Sequence, residues 1–213
     1  QLFHHHSSSQ HQKQKNDDGT IAGFVEKPKI FVSDEAIIGI YYFLDGENLR
    51  NELQYLIDNN INKQGEYQLT DALQNMLDKG LKFVTNDVKE WLDCGNKNAT
   101  VNTNQRVLEL KLDKEELFEE GAEFVNSELI PPCYIAKGVK VTNSKIGPHV
   151  SIGENTIVND SIISNSIIQN SCIISNLKFS NSMLGSNVKA QSNVLESTKE
   201  RELNLGDYSE ITL

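Results

Sequence analysis

The stretch EWLDCGN, residues 90–96, brings an apolar run up to an acid and follows it two places later with a glycine. Trp91 and Leu92 read as the end of a strand, and Asp93 as a carboxylate held where that strand stops. An acid so placed can ligate a divalent cation or accept backbone hydrogen bonds in a turn. A second pair of interest is Glu26–Lys27 in FVEKP, where Pro28 stops a short strand. A carboxylate accepts hydrogen bonds from hydroxyl groups, and an ammonium binds phosphate as a point charge. An exposed charge pair at a strand end, of little worth to stability, is the plainer alternative.

Other residues offer weaker chemistry. GIYYF supplies Gly39, where a ligand can approach the backbone, and Tyr41, with a ring and a hydroxyl. A tyrosine in a buried strand is otherwise core. Glu66 in GEYQLTD precedes a helix, and Asp71 falls in its first turn, where the helix dipole favours an acid. Capping accounts for both. His149 in IGPHVSIG could serve as a general base, and is otherwise a corner residue. Cys94, Cys133 and Cys172 form no CxxC pair and no zinc spacing, so they read as reduced thiols. Cys94 reads as a small filler beside Asp93.

These groups need elements to hold them. Ile21, Phe24 and Val25 suggest a short strand, and AIIGIYYFL, residues 36–44, suggests a strand buried on both faces. Asp45 can cap a helix with Leu49, Leu53, Leu56 and Ile57 on one stripe. A second helix carries Leu69, Leu73, Met76 and Leu77 and stops at Gly80. LKFV and EWLD read as short strands. Asn96 can cap a third helix bearing Ala99, Thr103, Val107 and Leu110. Strands alternating with helices indicate an α/β layer.

Beyond Pro131 and Pro132 helical periodicity gives way to apolar residues every five or six positions: Ile135, Val141, Ile146, Ile152, Ile157, Ile162, Ile167 and Ile173. This is hexapeptide-repeat spacing, in which short strands stack as coils of a parallel β-helix. These residues are expected to stack inward, with Asn and Ser at the turns. A β-sandwich of short strands competes, but its turns should be further apart.

Composition excludes several classes. The chain has 213 residues and a formal charge of −10, with no Lys/Arg cluster, which argues against nucleic-acid partners. No stretch approaches the ~20 apolar residues of a membrane span. A cytoplasmic protein is the simplest expectation. Residues 1–18 are polar and His-rich; His4, His5, His6 and His11 could bind a metal, but a disordered tail or a gene-boundary artefact is the simpler expectation. The missing initiator Met suggests a fragment.

In order, FVEKP, GIYYF, GEYQLTDAL and EWLDCGN followed by hexapeptide repeats resemble the sugar-phosphate nucleotidyltransferases, most of all the bacterial glucose-1-phosphate thymidylyltransferases and their uridylyl relatives. The resemblance runs from Gly19 to the end. It implies an α/β fold: a partial Rossmann-like nucleotidyltransferase domain followed by a left-handed parallel β-helix. It places the sugar-binding half at residues 19–112, as a mixed, mainly parallel sheet with helices and an open edge. A linker would follow at 113–128, the β-helix at 129–195, and a tail at 196–213 that folds back on the solenoid end.

The resemblance also implies roles. Glu26 and Lys27 would hold the sugar and its 1-phosphate, Gly39, Tyr41 and Glu66 would border that pocket, and Asp93 would bind Mg²⁺ with an acid from the nucleotide-binding half. The substrates would be a sugar 1-phosphate, glucose 1-phosphate by likeness, and a nucleoside triphosphate. The family's opening G-x-G-T-R loop has no counterpart before Glu26. This chain alone is therefore expected to lack transferase activity that its intact parent has. A hexapeptide acyltransferase using His149, and a non-catalytic module that forms homo-oligomers through the β-helix, remain alternatives.

Overall fold

The computed structural model describes residues 12–16, 18–25, 37–63, 65–193 and 200–213. The chain divides into two units, residues 1–91 and 92–213.

In the first unit, β1 (Gln12–Lys15) pairs antiparallel with β2 (Ile21–Val25). Asp18 holds the turn between them: its Oδ1 accepts from the Thr20 amide at 2.9 Å and the Thr20 hydroxyl at 2.6 Å. Helix α1 (Gly46–Asp58) begins as expected at Asp45, whose side chain accepts from the Asn48 amide at 3.0 Å. Helix α2 (Leu69–Asp78) follows, with its chain turning at Gly80. The core of the unit includes Leu56, Ala72, Leu73 and Met76. Glu52 of α1, 5% exposed, is neutralised by Lys79 just beyond α2, whose ammonium also lies 5.5 Å from the Tyr55 ring centroid. Strand β2 docks through Phe24, whose amide donates to Gln74 of α2 at 3.0 Å and whose ring meets Phe83 edge-on at 5.3 Å.

Several expectations fail here. Among the described residues the unit has one antiparallel strand pair, not a mainly parallel sheet. Gln12–Lys15 are a strand, so the polar stretch through residue 18 is not wholly a tail. Residues 37–44 form no strand, and Ile40, Tyr42 and Leu44 are 77%, 87% and 93% exposed. A run of β-branched and aromatic residues is buried only where other elements cover both of its faces. LKFV contributes only an isolated bridge, Thr20 to Val84, and EWLD contributes no strand.

In the second unit, α3 (Lys97–Lys111) is capped as expected by Asn96, which accepts from the Ala99 amide at 3.0 Å. Its buried residues are Val101 and Leu108, not Ala99, Thr103, Val107 and Leu110, so its inward face is rotated from the one expected.

A parallel solenoid follows. Its first coil is β3 (Glu123–Val125), β4 (Glu128–Leu129) and β5 (Cys133–Ile135). The second is β6 (Lys140–Thr142), β7 (Lys145–Ile146) and β8 (Val150–Ile152). The third is β9 (Ile157–Asn159), β10 (Ile162–Ile163) and β11 (Ser166–Ile168). The fourth is β12 (Ile173–Ser175), β13 (Lys178–Phe179) and β14 (Ser182–Leu184). The last full coil runs through β15 (Lys189–Gln191), a bridge from Arg201 to Phe179 and β16 (Asn204–Leu205), and β17 (Glu210–Thr212) stacks on β15 to open a further coil. Equivalent strands stack in register into sheets of six, five and four strands. This architecture is consistent with the left-handed coil that the resemblance implies. Helix α3 lies against β11 and β14.

The sequence explains the corners. One corner stacks Asn126, Asn143, Asp160 and Asn176 at φ of 48, 51, 49 and 57°. Asn and Asp tolerate this left-handed backbone better than other side-chain-bearing residues. Their side chains also form a ladder: Asn126 donates to Asn143 at 2.9 Å, and Asn143 donates to Asp160 at 3.1 Å. At another corner Gly147 has φ 107°, and a Cβ there would fall 2.0 Å from the Ile130 carbonyl oxygen. Only glycine fits.

Two expectations about the solenoid are corrected. Ile157, Ile162 and Ile173 are 36%, 47% and 43% exposed, and Ile167 is only half-buried. The inward residues are their neighbours Val158, Ile163, Ile168 and Ile174. Apolar doublets left the register open, and a one-residue slip exchanges the faces. Serine settles it from inside the coil. Buried Ser144 donates to Thr142 O at 2.7 Å and accepts the Ser161 amide of the next coil at 3.0 Å. Ser161 in turn donates to Asn159 O and accepts the Leu177 amide at 3.1 Å. Ser166 and Ser182 form a second ladder, Ser182 N–H donating to Ser166 at 3.2 Å and Leu203 N–H to Ser182 at 2.8 Å. The solenoid also starts at Glu123, inside the expected linker, and its last coil takes in the expected tail.

Candidate functional site

Glu26 and Lys27 lie outside the described residues. The other expected site residues of the first unit are exposed. Gly39 has φ 81°, which glycine adopts readily, and open space surrounds the position of its absent Cβ. Tyr41 is 37% exposed and stacks on Phe43 with ring centroids 6.1 Å apart. Glu66 sits on a tight loop: the Lys63 amide donates to Glu66 O at 2.9 Å, and the Glu66 amide donates back at 3.1 Å. Its carboxylate accepts from Gln68 Nε2 at 3.3 Å. Lys63 also reaches Asp71 Oδ1 at 2.6 Å, and Tyr67 donates to Asn60 at 3.2 Å. The GEYQLTD loop is thus fastened by its own polar side chains and by α2.

Asp93 opens the second unit on the loop before α3. Its Oδ1 accepts the Gly95 amide at 3.0 Å, which closes a small turn. Thr103 of α3 donates its hydroxyl to Asp93 O at 2.5 Å, and Thr100 donates to Cys94 O at 3.2 Å. The loop is therefore held by its backbone, and the carboxylate is left exposed. Its Oδ2 accepts no hydrogen bond among the described residues. Among the described residues no group of three or more His, Cys, Asp or Glu could hold a metal ion. One open carboxylate oxygen suits Mg²⁺, which takes one or two carboxylates and fills its other positions with phosphate oxygens and water. Asp93 fits such a site as one ligand.

The remaining candidates look structural. His149 Nε2 lies 3.2 Å from Glu109 Oε1 of α3, so the imidazole is engaged on the helix. Burial pushes the thiols of Cys133 and Cys172 up, and they remain core donors, each 3.1 Å from a carbonyl oxygen. Cys94 is exposed rather than a filler. Two features went unread in the sequence. Tyr134 donates to Glu119 at 2.5 Å, which holds that carboxyl below its ordinary range and pushes the phenol up. Lys97, at the start of α3, donates to Asn181 O at 2.7 Å and pairs with Glu202 at 3.0 Å. A cation in the first turn of a helix, where the dipole disfavours it, was the available signal.

Residues 11–109 match the family model described as nucleotidyl transferase. A glucose-1-phosphate thymidylyltransferase of Streptomyces griseus is 32% identical over 166 residues, covering 71% of this chain and 45% of that protein. One of Streptomyces antibioticus is 30% identical over 169 residues, covering 71% and 45%. A glucose-1-phosphate adenylyltransferase of Clostridium botulinum (strain Alaska E43 / Type E3) is 30% identical over 164 residues, covering 68% and 41%. The chain spans less than half the length of these relatives. Among the described residues no helix is long and apolar enough to cross a membrane.

Proposed function

We propose that this chain, whose residues 11–109 match the nucleotidyl transferase family model, carries the sugar side of a glucose-1-phosphate nucleotidyltransferase. The observation that carries the reading is the order of FVEKP, GIYYF, GEYQLTD and EWLDCGN within that matched region. The parent transfers a nucleotidyl group, from dTTP or UTP, to glucose 1-phosphate in the cytoplasm. A phosphate oxygen of the sugar phosphate attacks the α-phosphorus, a new P–O bond forms, and pyrophosphate leaves with its electron pair. Lys27 binds the sugar's phosphate, and Glu26 accepts from sugar hydroxyls. Gly39, Tyr41 and Glu66 border the sugar. Asp93 holds Mg²⁺, which offsets the charge of two anionic reactants when bound. The acid that shares the metal and the loop that cradles the triphosphate belong to the nucleotide side of the parent.

The test is a pyrophosphate-release assay on the intact parent and on the 213-residue chain. Lys27→Ala and Asp93→Asn in the parent should each cut turnover by at least about a hundredfold, the scale of removing one electrostatic partner from a transition state. The chain alone should show none. Parent variants with unchanged turnover would remove Lys27 and Asp93 from the site. Turnover by the chain above that of a Glu26→Ala/Asp93→Ala double variant would overturn the division into two sides.

A further inference from the structure

Helix α3 starts with a charge of the wrong sign. Helices α1 and α2 carry Glu47 and Asp71 in their first turns, as the dipole favours, whereas α3 has Lys97 at its first position and no acid in that turn. The Lys97 side chain is only 17% exposed. It does not fold back on its own helix. It reaches across 84 residues of sequence to the Asn181 carbonyl at 2.7 Å, and across 105 to Glu202 at 3.0 Å. Around it the contacts close into a cluster: Asn181 donates to Glu202 and, at 3.3 Å, to Asn98, the residue after Lys97. Glu202 belongs to the last coil, whose stacked residues are separated by 21 positions where earlier coils use 16 or 17. The first two turns of α3 hold the Asp93 loop, through the Asn96 cap, Thr100 on Cys94 O and Thr103 on Asp93 O.

We infer that Lys97 is a positioning residue: it clasps the solenoid's last coil to the Asp93 loop, so that the coil sets where that carboxylate stands. The inference rests on the metal-binding role proposed for Asp93. Its chain of contacts is continuous, from Glu202 and Asn181 to Lys97, along two helical turns, to the carbonyls of Asp93 and Cys94. A surface ion pair alone would not need a half-buried lysine against a dipole. A pair that fixes a helix end against a rigid stack does.

Hydrogen exchange read by mass spectrometry tests it on the 213-residue chain. The Gly95, Ala99 and Thr100 amides are bonded within this loop and turn. In Lys97→Met and in Glu202→Gln they should exchange about five- to tenfold faster, with the amides of β6 to β12 unchanged. Lys97→Arg should restore protection, and Lys111→Met, which breaks an exposed pair with Glu115, should leave it intact. Unchanged exchange at these amides would overturn the clasp. So would acceleration spread evenly through the coils, which would make Lys97 a support of the solenoid only. Mn²⁺ titration of the intact parent and its Asp93→Asn variant with a nucleoside triphosphate present, followed by water-proton relaxation, separates the two claims. Equal Mn²⁺ binding by both would remove the metal role, while local exchange in the Lys97 variants would still establish the hold on the loop.

Discussion

The two units of this chain solve the same problem with unequal success. In the solenoid each coil is covered by the next. Ile135, Ile146, Ile152, Val158, Ile163 and Ile174 are essentially fully buried, and the amides of Ser161 and Leu177 inside the stack are paired by the serine ladder. In the first unit a small helix-pair core coexists with Ile40, Tyr42, Leu44 and Val84 at 77% exposure or more. The lesson is about contact range. A repeat needs only its neighbours, so a piece of solenoid is already a folded object. A layered α/β domain needs distant segments to cover each face, so its burial cannot be met by neighbours alone.

Separating the units is the strongest way to break that contrast. Residues 92–213 expressed alone should melt in one cooperative transition followed by circular dichroism. Residues 1–91 alone should show none. A cooperative melt of residues 1–91 would show that their core suffices.

The register gives the next largest effect. Ile163→Ala should lose about 2–5 kcal/mol in a denaturant titration, because it hollows a packed core. Ile162→Ala, one residue away and outward, should stay within about 0.5 kcal/mol of wild type. Equal losses would mean that the solenoid's inside and outside are not distinct.

Ser161→Ala sharpens the comparison from the polar side. It orphans the buried Leu177 amide, which should cost about 1–3 kcal/mol despite the smaller side chain. A neutral result would make the serine ladder ornamental.

The smallest effect is acid sensitivity. Hydrogen bonds from Tyr134, Arg106 and Asn181, respectively, are the main reason that Glu119, Glu109 and Glu202 titrate below the ordinary glutamate value of 4.5. Folded values below unfolded ones mean that these groups stabilise the fold above pH 4.5, and that this contribution is lost as pH falls through the lowered values. Glu109 and Glu202 are exposed and Glu119 is half-buried, so the loss is modest and fades with salt. The melting temperature of the second unit should drop below pH 4.5, and Glu119→Gln should flatten that limb.

What the sequence disclosed follows the same contact-range rule. The caps at Asp45 and Asn96 and the repeats after Pro131 were legible because their causes are local or repeated. The strand expected at residues 36–44 was not, because burial of that run depends on distant segments and not on its own composition. Ile135, Val141, Ile146 and Ile152 point inward as expected, and the reading slips by one place at Ile157, Ile162, Ile167 and Ile173, where apolar doublets offer two equal choices. In the site, Asp93 could be singled out by its motif. Its hold on the solenoid could not, because Lys97 and Glu202 are 105 residues apart.

The corner asparagines have a chemical as well as a geometric consequence. An asparagine followed by a small residue ages when the next backbone nitrogen attacks its side-chain carbonyl, expels ammonia and leaves an aspartyl or isoaspartyl linkage. Asn143–Ser144, Asn165–Ser166 and Asn181–Ser182 are such steps, repeated along the coils. In each, the attacking nitrogen is already engaged: Ser144 N–H donates to Ser127, Ser166 N–H to His149 O and Ser182 N–H to Ser166. The bonds that stack one coil on the next therefore also act as preservatives. Long incubation of the folded chain should leave these asparagines intact, while the denatured chain accumulates isoaspartate at the same sites.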